Sequence, residues 1–194
     1  MARTRRADYQ RSNRIRSLPL TDPVGAAEIG SRLLLAGDAA GRARIGSELL
    51  DALCAQTGVP PVELVVPDDH QPHRRRGGRI VYSLQGEYRR RAPSENDPSL
   101  ARGGKRLGRI RLPNRTPARG DLVRASAFLH TLLHESCHHH DAFALGLLRS
   151  FHTAGFYARL RDLRSRIDTS PDPPKARGKA RLRLSRLWSI IRDL

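Results

Sequence analysis

The run LLHESCHHHDAF, residues 132–143, constrains this chain more than any other stretch. It sets His134, Glu135 and His138 among apolar residues that recur at helical spacing. Leu122, Ala125, Leu129, Leu132, Leu133 and Ser136 trace one side of the expected helix. Asp121 after Gly120 offers an N-cap, and Gly146 after Leu145 offers a stop. On a helix, residues four apart lie about 40° apart in azimuth and one turn apart in height. His134 and His138 can then both reach one Zn2+ at about 2.0–2.1 Å. Glu135 points to the substrate side of such an ion rather than into its ligand shell. This is the H-E-x-x-H arrangement of two ligands and a general base.

Each part answers a chemical need. Neutral imidazoles leave the ion its positive charge, so a water is acidified toward a pKa of about 7. A neighbouring carboxylate can take the proton and pass it to a leaving amine, while the ion polarises the scissile carbonyl. A solvated histidine cluster is the competing explanation, and HHH at 138–140 lends it some weight. The apolar surroundings count against it, because unpaired His and Glu on a buried helix face would be costly.

A third ligand must come from further along the chain. No Glu follows Glu135, and the positions that a second Gly and His would take, 141 and 144, hold Asp141 and Ala144. His139 and His140 point roughly 100° and 200° around the helix from His138 and cannot join it on one ion. His152, in RSFHTAGFY, is therefore the expected third ligand, presented at the start of the next helix. Asp141 lies near the angular line of His134. It is expected to orient an imidazole from outside the ligand set, with direct ligation in place of His152 as the alternative. His130 reads as a packed neighbour and Cys137 as an inert core thiol.

Around this centre, residues 1–20 read as a flexible basic arm and 21–170 as one domain. Two helices are expected over 25–57, broken at AGDAAG and closed by Gly58. The catalytic part spans 61–168, with strands at PVELVV (61–66), within RIVYSLQGEYRR (79–90) and at RLGRIRLP (106–113). PDDHQPHRRRGG and APSENDPSLARGGK read as loops, and a helix is expected over 153–168. Residues 171–194 read as a basic amphipathic C-terminal helix with Trp188 on its apolar stripe. That tail either packs on the domain or meets a partner or a membrane surface. The fold class is thus α+β, a small mixed sheet packed on an active-site helix.

The net charge of +17 favours contact with a polyanion such as nucleic acid. Arginine supplies nearly all of it, a bias that GC-rich coding also produces. Two cysteines, Cys54 and Cys137, cannot build a disulfide framework and fit a reducing compartment. No C-x-x-C occurs, which excludes a cysteine zinc ribbon. The basic N-terminus is not followed by an apolar core, and the longest apolar runs, such as LLLA, are too short to span a bilayer. A cytoplasmic protein without a transmembrane segment is expected.

The segments LLHESCH, FHTAGF and GRIRLPNRTP together resemble the SprT-like zinc metallopeptidases and the related YgjP-like (WLM-type) group. The likeness covers roughly residues 78–168, and its more specific half is H-x-x-x-F after H-E-x-x-H. It implies a minimal zincin domain with His134, His138 and His152 as zinc ligands, Glu135 as catalytic base and Phe156 seating the His152 turn. It also implies that Arg109, Ile110, Arg111 and Leu112 form an edge strand that receives an extended peptide by strand addition. Some members of the family cleave proteins attached to DNA. Thr153 stands where a glycine often follows the third His, and the N-terminal helices have no counterpart in the family pattern. Two functions follow as expectations: a zinc endopeptidase, or a nucleic-acid-binding protein that keeps the fold without catalysis. Tyr157, beside Phe156, is a minor candidate for stabilising an oxyanion.

Overall fold

The computed structural model describes residues 2–90, 107–147 and 152–169. The expected flexible arm is corrected at once, because helix α1 (Ala2–Arg14) occupies most of it. This helix carries no apolar stripe, yet Ser12 and the following Leu18 are buried. Hydrogen bonds dock it instead. Ser12 Oγ lies 2.7 Å from Thr153 Oγ1, and Asn13 Oδ1 accepts from the Gly155 N–H at 2.9 Å.

Helices α2 (Pro23–Leu35) and α3 (Ala39–Thr57) follow as the periodicity predicts. Asp22 caps the first by accepting from Gly25 N–H, and Asp38 caps the second by accepting from Gly41 N–H. Gly58 ends α3 in the left-handed region, with φ of 66°.

The strands are short: β1 (Glu63–Val65), β2 (His73–Arg76), β3 (Arg79–Ser83), β4 (Glu87–Arg90) and β5 (Gly108–Arg111). The stretch expected as a loop before Arg79 contains β2, which pairs antiparallel with β3 through the Gly77–Gly78 turn. The 79–90 region holds two strands, β3 and β4, which belong to two different sheets. The loop expected from Ala92 to Lys105 lies outside the described residues.

The main sheet has the order β1-β5-β4. Leu64 is parallel to Ile110 on one side, and Tyr88 is antiparallel to it on the other. Arg109–Leu112 is therefore not an edge. Both sides of β5 are already hydrogen-bonded, and Leu112 N–H donates to Val65 O at 2.9 Å, so no peptide can add there. Among the described residues, β4 is the edge strand that packs against the histidine helix.

That helix is α4 (Ala125–Phe143). Asp121 does not cap it. The cap position is Arg124, without a side-chain bond, and the Asp121 carbonyl accepts from Thr116 N–H in the preceding turn. Helix α5 (Ala154–Ile167) starts at Thr153, whose hydroxyl accepts from Phe156 N–H. The core joins Leu33, Leu49, Leu50 and Leu53 of α2 and α3 to Leu129, Leu132 and Leu133 of α4. Ile110, Leu112, Leu160, Leu163 and Ile167 complete it. The result is a small α+β fold. No helix among the described residues is long and apolar enough to cross a membrane. The expected C-terminal helix over 171–194 lies outside the described residues.

Candidate metal centre

The histidine spacing on α4 does what its geometry requires. His134 and His138 Nε2 atoms are 3.3 Å apart, and each lies 3.1 Å from His152 Nε2. The ring centroids are 4.9–5.0 Å apart, so the three rings converge on their Nε2 tips. Nitrogens this far apart, each about 2.0–2.1 Å from an ion, subtend about 100° at it, close to tetrahedral with one vertex left over. Among the described residues this is the group able to hold a metal ion. Burial, helped by His152 and His130, lowers the His134 pKa to about 3, so its imidazole is neutral and ready to donate a lone pair.

Phe156 forms the floor, its ring centroid 4.7 Å from that of His138 and 5.0 Å from those of His134 and His152. Tyr157 stacks on His152 at 5.8 Å. The H-x-x-x-F spacing thus places one aromatic ring against all three imidazoles, with His152 just ahead of α5 and Phe156 in its first turn.

Glu135 is 3% exposed, and its Oε1 has no hydrogen-bond partner. Burial, with the Glu87 charge adding to it, raises its pKa to about 8, against the opposing pull of a bond from Tyr88 N–H. A buried, incompletely bonded carboxylate is costly unless something polar is meant to reach it. Together with three convergent imidazole nitrogens, that orphaned oxygen fits a site able to take a metal ion and a polar group beside it.

Gly86 explains how β4 comes so close. A Cβ there would lie 2.6 Å from Leu112 Cδ2 and from Thr131 Cγ2, and 3.2 Å from Glu135 Cγ. Beside it lies a cleft of about 400 Å3 lined by Gln85, Leu112, Phe128 and Thr131 among others.

The remaining expectations divide. Asp141 is not in the metal group. It is fully buried and its carboxylate meets Arg159, also fully buried, at 2.8 Å. Direct ligation by Asp141 is thereby corrected, since the guanidinium on α5 engages the carboxylate. His139 and His140 stay off the centre as their azimuth predicts. His139 sits between Pro60 O at 2.7 Å and Tyr88 Oη at 3.1 Å, and His140 between Ser136 O and Thr57 Oγ1. Cys137 is buried, and burial raises its pKa strongly, which keeps it an unreactive thiol.

Sequence reasoning missed Tyr88, Arg159, Ser12 and Asn13. None lies near the motif in sequence. An arginine on the apolar side of an amphipathic helix, as Arg159 is, was the one available signal.

Comparison with family models, with curated proteins and with solved structures gave no match. The site itself must carry the functional reading.

Proposed function

We propose that this chain is a zinc-dependent peptidase of the zincin type, as its resemblance to the SprT-like group implies. One observation carries the reading: three Nε2 atoms 3.1–3.3 Å apart beside a buried carboxylate with an unbonded oxygen. Three imidazoles and one open position suit zinc in a catalytic rather than a structural setting. When bound, the ion supplies Lewis acidity toward water and toward a peptide carbonyl. His134, His138 and His152 would hold it. Glu135 takes a proton from the attacking water and delivers it to the leaving amine. Its burial, which raises proton affinity, suits a group that must both accept and release. An extended substrate adds to β4, the edge that passes Glu135, rather than to β5. The adjoining cleft, whose sole charged lining residue is Arg124, accepts an uncharged side chain.

The Glu135→Gln variant tests this. It should keep one zinc per chain, read by metal analysis, and lose cleavage of an unfolded protein substrate. Purified chain that holds no metal would end the proposal.

A second reading, nucleic-acid binding without catalysis, draws on the β2–β3 ribbon. Arg74, Arg75, Arg76 and Arg79 are exposed there, and among the described residues no acidic side chain pairs with them. Both activities can coexist, with nucleic acid presenting protein substrates. Cleavage that disappears in Glu135→Gln rules out the purely non-catalytic form.

A further inference from the structure

Two of the three imidazoles share α4, so their spacing is set by one helix. The third arrives on another segment, and its position depends on what anchors that segment. Among the described residues, the anchor is the chain that follows it. Thr153 is fully buried, and its hydroxyl accepts from Phe156 N–H at 3.0 Å while meeting Ser12 Oγ at 2.7 Å. Gly155 N–H donates to Asn13 Oδ1 at 2.9 Å. A Cβ on Gly155 would lie 1.9 Å from Ser12 O, so only glycine lets the two backbones approach this closely.

Arg159 ties the same junction to α4. Its guanidinium donates to Ser12 O at 2.8 Å, to Ile15 O at 2.6 Å and to Ser12 Oγ at 3.1 Å. It also donates to Asp141 Oδ2 at 2.9 Å. Asp141 sits one turn beyond His138. The end of α1 therefore bonds to the start of α5, directly after His152, and through Arg159 to the helix carrying the other two imidazoles. Ser12, Thr153, Arg159 and Asp141 are buried and Asn13 is part-buried, so competing water is largely kept from these bonds.

We propose that the end of α1 positions the metal centre: Ser12 and Asn13, acting through Thr153, Gly155 and Arg159, set where His152 stands relative to His134 and His138. Neither residue touches the ion or a substrate. The inference rests on the histidine trio being a metal site, and it does not require peptidase activity. It also makes the N-terminal segment a control point, since anything that lifts α1 releases the third ligand.

The test is Zn2+ affinity, measured on the full chain by competition with a chromogenic chelator. Co2+ absorption reports the coordination geometry, and the melting temperature of the metal-free form reports the fold. Asn13→Ala should weaken Zn2+ binding about ten-fold or more and reduce the tetrahedral Co2+ bands, as loss of outer supporting partners does. Asn13→Asp keeps an acceptor for Gly155 N–H and should restore both. Ser12→Ala should act like Asn13→Ala. If Ser12→Ala fails to fold, the Asn13 pair alone decides. Wild-type Zn2+ affinity in Asn13→Ala would overturn the proposal while leaving the metal site standing. Absence of Zn2+ binding in the wild-type chain would overturn the metal site, and the proposal with it.

Discussion

His139 shows how one residue's protonation can be read from its neighbours. Pro60 O can only accept, so Nε2 carries the hydrogen and Nδ1 accepts from the Tyr88 hydroxyl. The ring is neutral, and burial lowers its pKa to about 4 in spite of the favourable Pro60 bond. A folded pKa below the unfolded value of about 6.5 means the unfolded chain binds the extra proton first. The contribution to stability is complete above about pH 6.5 and is lost as pH falls toward 4, up to about 3 kcal/mol. His134 and His140 shift in the same direction, also chiefly through burial. Glu135, whose pKa is raised to about 8, works in the opposite sense over this window, so the test is made on metal-free Glu135→Gln, whose urea unfolding should show a marked drop between pH 7.5 and pH 5. A flat profile over that window would contradict the neutral tautomers.

At the scale of elements, α4 serves two purposes with two faces. One face carries Leu129, Leu132 and Leu133 into the core, each fully buried, and the other presents His134 and His138 to α5. Leu132 meets α3 at Gly46, where a Cβ would come within 3.5 Å of its Cδ2. Leu132→Ala should cost about 2–5 kcal/mol by removing buried methyl groups that no neighbour can replace. Denaturant titration measures it, and the zinc content of the folded fraction should be unchanged. A cost below about 1 kcal/mol would mean the helix is not seated as described. The sheet shows the converse relation. β5 sits between two neighbours, so its alternating pattern builds the core rather than a docking edge, and among the described residues β4 lies at the edge of the sheet.

For the molecule as a whole, charge is the dominant feature. A net +17 on 194 residues produces a field that attracts polyanions from any direction. What the fold adds is a place where the charge is concentrated, the β2–β3 ribbon with its arginine-flanked glycine turn. Replacing Arg74, Arg75 and Arg76 with Gln should reduce the slope of log affinity against log salt by roughly 3 for duplex DNA, about one per phosphate contact. Fluorescence anisotropy over a KCl series checks this. An unchanged slope would assign the binding to other surfaces, and no binding at low salt would remove nucleic acid from the account.

Local spacing and residue inventory were sufficient for much of the site. Two imidazoles four apart on a helix must share a face, Glu135 must flank them, and His152 remained once the other downstream candidates were eliminated. Helices α2, α3 and α5 were legible for the same reason, since each has an apolar period and a capping side chain close in sequence. The docking of α1 was not, because ARTRRADYQRSNR has no apolar stripe and is held by Ser12 and Asn13 hydrogen bonds to residues about 140 positions away. The neighbours of β5 and the meeting of Asp141 with Arg159 were hidden likewise. A strand's alternation states which face is buried but not which strands lie beside it, and a buried ion pair leaves no periodic trace. The sequence by itself therefore determined which three imidazoles can meet, His134, His138 and His152, and that Glu135 flanks two of them. The tertiary structure decided which strand lies at the sheet edge among the described residues and what α1 bonds to beside His152, because both depend on contacts between segments far apart in the chain.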